Sequence, residues 1–211
     1  MAYKPKAGDV VYTGHIHVAL TTGEVIGKKI QVVEALGFGQ MKGSRKQGIG
    51  FGSYEEKELT SRWRYADAAV AKRAVEVAQT WQRKYASKEG KVKDWVKAKP
   101  VKYSTTKAVG GYLRLAGIVL LDAWIRAFEY YAYRNKPEAP PSFFSQKTSG
   151  LIPTQEGVYC SMYAVAAYQA AIWEKQGGWK GILKKLLLDA KHTSPTELYL
   201  YMRLNSNWKR A

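Results

Sequence analysis

Strand-forming runs crowd the first third of this 211-residue chain and helix-forming runs the remainder, and that segregation is the tightest limit on its fold. Val10–Leu20 is rich in β-branched and aromatic residues after the turn pair Gly8-Asp9, and reads as a strand. Ile30–Leu36 reads as a second strand, reached through a turn around Thr22-Gly23 and Gly27. The segment from Gly37 to Ser53 carries Gly37, Gly39, Gly43, Gly48, Gly50 and Gly52 among basic residues, the pattern of a flexible basic loop. Glu56–Arg64 has room for a short strand leading into Trp63-Arg64-Tyr65.

Helical spacing takes over at Ala66–Tyr85, where Ala68, Ala71, Val75, Ala78 and Trp81 fall near one face and Lys72, Arg73, Arg83 and Lys84 near the other. Residues 87–102 are lysine-rich, 107–133 form a second apolar-aromatic helical region, and the four prolines between 136 and 153 predict loop. Gly157–Trp173 predicts a third long helix, opening at or just before Cys160. Trp179–Ala190 and Pro195–Leu204 predict two short ones, the last capped by Ser194 with Pro195 in its first turn. The elements add up to an α+β fold in a single domain over residues 1–211, in which 87–150 reads as an insertion.

Lys and Arg number 34 and Asp and Glu 17, so the formal charge is +17. Such a charge attracts polyanions: nucleic acid, anionic lipid headgroups or acidic wall polymers. No helix-turn-helix, zinc-finger or RNA-binding sheet motif favours nucleic acid among these. The opening MAYKPKAGDVVYTG lacks the shape of a signal peptide, and the most apolar stretch, 115–125, is too short to span a bilayer. Peripheral membrane contact stays open; a transmembrane segment is not expected.

One cysteine excludes an intramolecular disulfide and a multi-cysteine metal site. Cys160 precedes a strongly helical run, so it falls at a helix N-terminus. There, backbone N–H groups and the positive end of the helix dipole favour a thiolate and can hold an oxyanion. The bland reading is a small buried apolar residue. A thiolate nucleophile needs a base, and the chain offers only His15, His17 and His192. His192 sits in a polar turn and reads as exposed. His15 and His17 lie two apart on the expected strand and share a face. Glu34, an acid inside the apolar run Gln31-Val32-Val33-Glu34-Ala35, is either an edge residue facing water or the inward partner of a histidine on the next strand. His15, His17 and Glu34 as metal ligands are a weak alternative without an HExxH or cysteine cluster, so neither metal nor cofactor is expected.

The order of these motifs is similar to that of a known family. Gly8-Asp9-Val10-Val11-Tyr12 resembles the opening of the permuted papain-like proteins of the NlpC superfamily, the YiiX-like group. His17-Val18-Ala19-Leu20 resembles the strand bearing their catalytic base. Val32-Val33-Glu34-Ala35 resembles the strand whose acid orients that base, and Tyr159-Cys160-Ser161 resembles their nucleophile at a helix start. Thr193-Ser194-Pro195-Thr196-Glu197-Leu198 resembles a segment near their C-terminus. Ala19 stands where glycine is usual, and Met162 where glutamate often follows.

The resemblance implies a small antiparallel sheet packed against helices, with a helical insertion. It implies a Cys160–His17–Glu34 hydrolase, a peptidase or amidase acting through a thioester. Cys160, Ser161, Tyr12 and His15 are then the candidates around the oxyanion and substrate. Bacterial cell-wall peptides are the first substrate class it suggests, with delivery to the envelope by a lysis or secretion system. Lipid acyl hydrolysis or acyl transfer, with an acyl groove around 113–133, is the second. A non-enzymatic polyanion-binding module is the reading from a different class.

Overall fold

The structure, a computed structural model, describes residues 3–14, 16–36, 48–85, 159–188, 190 and 193–211. Its strands are β1 (Val10–Thr13), β2 (His17–Ile26), β3 (Lys29–Leu36), β4 (Gly48–Glu55), β5 (Leu59–Tyr65) and β6 (Trp208–Arg210). A short 3-10 turn, Glu56–Glu58, links β4 to β5. The helices are α1 (Ala68–Tyr85), α2 (Cys160–Lys175), α3 (Gly178–Lys185) and α4 (Pro195–Leu204). The strands form one sheet in the order β4-β3-β2-β1-β5-β6, with antiparallel pairing throughout. The result is a mixed α+β architecture: a small antiparallel sheet against a few helices. The expected helices at 107–133 and the insertion at 87–150 lie outside the described residues.

Side chains alternate across the strands, so the sheet has two faces. On one, Val10, Tyr12, Val18, Leu20, Val33 and Ala35 pack with α1 and α2 into the main core. On the other, Val11, Ala19, Ile30, Val32 and Leu59 form a second cluster, flanked by Tyr3 and Tyr54. Helix α2 is buried on nearly all sides from Cys160 to Gln169, as expected of a helix apolar all round. The Tyr163 hydroxyl donates to the Ala78 carbonyl of α1 at 2.6 Å, and the Tyr168 hydroxyl to the Gly8 carbonyl before β1.

Gly8-Asp9 is a structural joint. Gly8 has φ +86°, and a Cβ built there would lie 2.2 Å from the Ala71 carbonyl oxygen, so α1 sits directly on this glycine. Asp9, 1 % exposed, accepts both arms of the Arg64 guanidinium at 2.8 and 2.7 Å and the Tyr3 hydroxyl at 2.8 Å. That fork neutralises a buried carboxylate where β1 begins.

Three expectations are corrected. Val10–Leu20 is a hairpin rather than one strand: Gly14 at φ +62° turns the chain between β1 and β2, with Thr13 opposite His17. Thr22-Gly23 is a bulge within β2, which runs on to Ile26, and the turn falls at Gly27. Residues 48–53 are not loop but most of β4, paired in unbroken register from Lys29↔Glu55 to Leu36↔Gly48. Residues 37–47 of the expected loop lie outside the described set.

Candidate active site

His17 opens β2 and Glu34 lies on β3, where it stands opposite Ala19. Histidine and glutamate are thus diagonal neighbours on one face of the sheet, within reach of long side chains. His17 Nε2 meets Glu34 Oε2 at 2.7 Å, with the two side chains 3 % and 0 % exposed. The same carboxylate oxygen accepts the Tyr54 hydroxyl at 2.7 Å. Tyr54 lies on β4 and pairs with Ile30 of β3, so sheet register brings it to the face of Glu34. A buried carboxylate that already accepts a phenol requires a proton on the facing ring nitrogen, which fixes Nε2 as a donor.

Cys160 is the first residue of α2, after Tyr159 in extended conformation (φ −125°, ψ 168°), whose side chain makes no capping bond. The first-turn N–H groups therefore point toward the sulfur end of the helix. The helix start is fixed from two sides. The Ser161 hydroxyl donates to the Thr193 carbonyl at 2.8 Å, and the Cys160 sulfur lies 3.7 Å from the Ile16 carbonyl oxygen, next to His17. A neutral thiol donates to that carbonyl; a thiolate does not.

Burial alone would lower the His17 pKa. Hydrogen bonding to the Cys160 and Glu34 side chains, and then their negative charges, outweigh it and push the imidazole up to about 10. With Nε2 held by Glu34, Nδ1 is the nitrogen left for the sulfur. Nδ1 is buried, and the Cys160 side chain is the neighbour that raises the imidazole from that side. Cys160 itself is 1 % exposed.

Cys160, His17 and Glu34 therefore converge. The Tyr12 hydroxyl is directed elsewhere, donating to the Pro195 carbonyl at 2.9 Å. The Ser161 hydroxyl is likewise held by Thr193, which leaves only its backbone N–H for an oxyanion. His15 and His192 lie outside the described residues. Tyr54 is the site residue that sequence reasoning missed. Among the described residues no group of three or more His, Cys, Asp or Glu side chains is placed to hold a metal ion.

The segment from Thr193 to Leu198 proves to be a positioning device. Ser194 and Glu197 form a reciprocal cap on α4, and the carbonyls on either side of Ser194, those of Thr193 and Pro195, receive Ser161 and Tyr12. No family model, curated protein or solved structure matches the chain. No described helix is long and apolar enough to cross a membrane.

Proposed function

We propose that this chain is a cysteine hydrolase, a peptidase or amidase, built on a permuted papain-like fold. The observation that carries the reading is the meeting of three side chains: Cys160 at a helix start, His17 from the first part of the chain coupled to it, and Glu34 on the far side of the ring. The chain order supports the permuted arrangement, with base strand first, acid strand second and nucleophile helix last.

The chemistry follows from the groups. His17 and Cys160 share one proton, and the protonated imidazole favours the thiolate just as the thiolate favours it. Sulfur attacks a carbonyl carbon, and the backbone N–H of Cys160 helps hold the oxyanion. His17 then gives its proton to the departing nitrogen as the carbon–nitrogen bond breaks, leaving a thioester. Water, deprotonated by His17, releases the acid and restores the thiol. Glu34 holds the ring in register, and Tyr54 holds Glu34.

Cell-wall peptides are the substrate class we favour, because a charge of +17 draws the protein to anionic wall polymers. Purified wall sacculi and acyl-ester lipids, each incubated with the protein and with its Cys160→Ser variant, test this. New amino termini released from sacculi by the unmodified protein alone are expected. Fatty acid released from lipid alone moves the activity to acyl lipids, and no Cys160-dependent product from either removes the hydrolase reading.

A further inference from the structure

Hairpin tips are ordinarily polar, because a turn that leaves the sheet is surrounded by water. The tip joining β2 to β3 is not. Val25 is 52 % exposed and Ile26 63 %, the one pair of neighbouring large aliphatic residues so exposed among the described residues. Neighbours on a strand point to opposite faces, so neither face of β2 is covered there. The topology explains why. β1 accompanies β2 as far as Leu20, opposite Val10, and past Thr21 the strand pairs with β3 alone among the described residues. Ile26 then meets Lys29 across the two-residue turn Gly27-Lys28, with Gly27 at φ +63°. We propose that this tip docks on an anionic lipid surface, with Val25 and Ile26 entering the acyl boundary and Lys28 and Lys29 lying among the headgroups.

Charge and size select that occupant. Lys28 and Lys29 are exposed beside the aliphatic pair, and exposed Lys6 lies at the same end of the sheet, its carbonyl taking the Thr21 hydroxyl. Of the acids nearby, Glu55 stands opposite Lys29 but is paired with Lys57 at 2.8 Å, which leaves Glu24 against Lys6, Lys28 and Lys29. An apolar point with a basic rim suits headgroup phosphates lying over acyl chains. Nucleic acid offers the phosphates but nothing for Val25 and Ile26 to enter. A second copy of the chain offers apolar contact, yet two aliphatic side chains on a narrow tip fall far short of the roughly 800 Å² per partner of a stable interface. The docking surface does not rest on the hydrolase reading, but it bears on it. His17 is at the opposite end of β2, roughly 25–30 Å away at the ordinary strand rise. A tip inserted end-on holds the thiol off the bilayer, where it meets peptide standing above the surface and not an acyl chain within it.

The test is co-sedimentation of the full chain with vesicles of phosphatidylcholine alone and of phosphatidylcholine mixed with phosphatidylglycerol. Binding to the mixed vesicles, weakened by added salt, is expected. Val25→Ser combined with Ile26→Ser should weaken it about thirtyfold, the loss of two half-exposed aliphatic side chains from the acyl boundary. Lys28→Gln and Lys29→Gln should each weaken it about fivefold. All four side chains are on the surface, so urea midpoints should match the native chain. A polarity-sensitive dye on Ile26→Cys, in a chain carrying Cys160→Ser, should shift to the blue on mixed vesicles, while the same dye on Leu204→Cys, at the exposed end of α4, should not. No binding to mixed vesicles overturns the proposal. So does binding unmoved by the double serine variant, as a phosphate-only site for nucleic acid would give, a dye response at Leu204 in place of Ile26, or a concentration-dependent dimer that the double serine variant abolishes. Docking is read without turnover: a chain that docks but cleaves nothing loses the hydrolase reading alone, and one that hydrolyses sacculi but does not dock loses this surface alone.

Discussion

Replacing Glu34 by Gln isolates the charge behind His17. The substitution preserves the size of the side chain and leaves a carbonyl oxygen to accept His17 Nε2 and the Tyr54 hydroxyl, both 2.7 Å away in the native site. What it removes is the charge. A hydrogen bond to an ionised group contributes about 1.5–3 kcal/mol and a neutral one about 1, so the imidazolium loses about 1 kcal/mol of support. At about 1.4 kcal/mol per pKa unit, that lowers the His17 midpoint by about 1 unit, from a native value of about 10. The ring-proton shifts of the three histidines, followed by NMR from pH 5 to pH 11, read this directly, with His17→Ala assigning the resonance. A native midpoint near the ordinary 6.5, or a Glu34→Gln midpoint equal to the native one, refutes the account of how this ring is held charged.

His17 has its folded pKa raised above the unfolded value near 6.5, so its contribution to stability is complete below that pH and lost as pH rises through about 10. Urea melts should show the native protein's advantage over Glu34→Gln shrinking across that window. His17→Ala should abolish turnover and cost about 3 kcal/mol, because it strips Glu34 of its ion-pair partner inside the fold; circular dichroism should still report a folded chain. Gly8→Ala should cost 2 kcal/mol or more, roughly, by driving a methyl into the Ala71 carbonyl at positive φ, read as a lower urea midpoint. Ser194→Ala should cost about 1 kcal/mol through the lost cap.

The residues that make the site were legible because each carries a local signal. Cys160 precedes a long helical run, α2 does start there, and the cap at Ser194-Pro195 marks α4 to the residue. Glu34 betrayed itself as a charge in an apolar strand. What escaped depends on pairing between distant segments. β4 presents Gly48, Gly50 and Gly52 at alternate positions, a composition that reads as loop until β3 supplies the register that makes it a strand. Tyr54 becomes a site residue only through that register. The Val10–Leu20 hairpin hid because apolar residues continue on both sides of Gly14, and one glycine there looks like a strand defect rather than a reversal. β6 is three residues long and exists because β5 offers it an edge.

The alkylation rate of Cys160 by iodoacetamide, followed against pH in the native chain and in His17→Ala, probes the sulfur itself. A thiolate sustained by its imidazolium gives a rate already level at neutral pH, and the variant moves the rise up to the ordinary thiol range near 8.5. A native profile that rises only near or above 8.5, unchanged by loss of His17, would leave Cys160 as a packed core residue and nothing more.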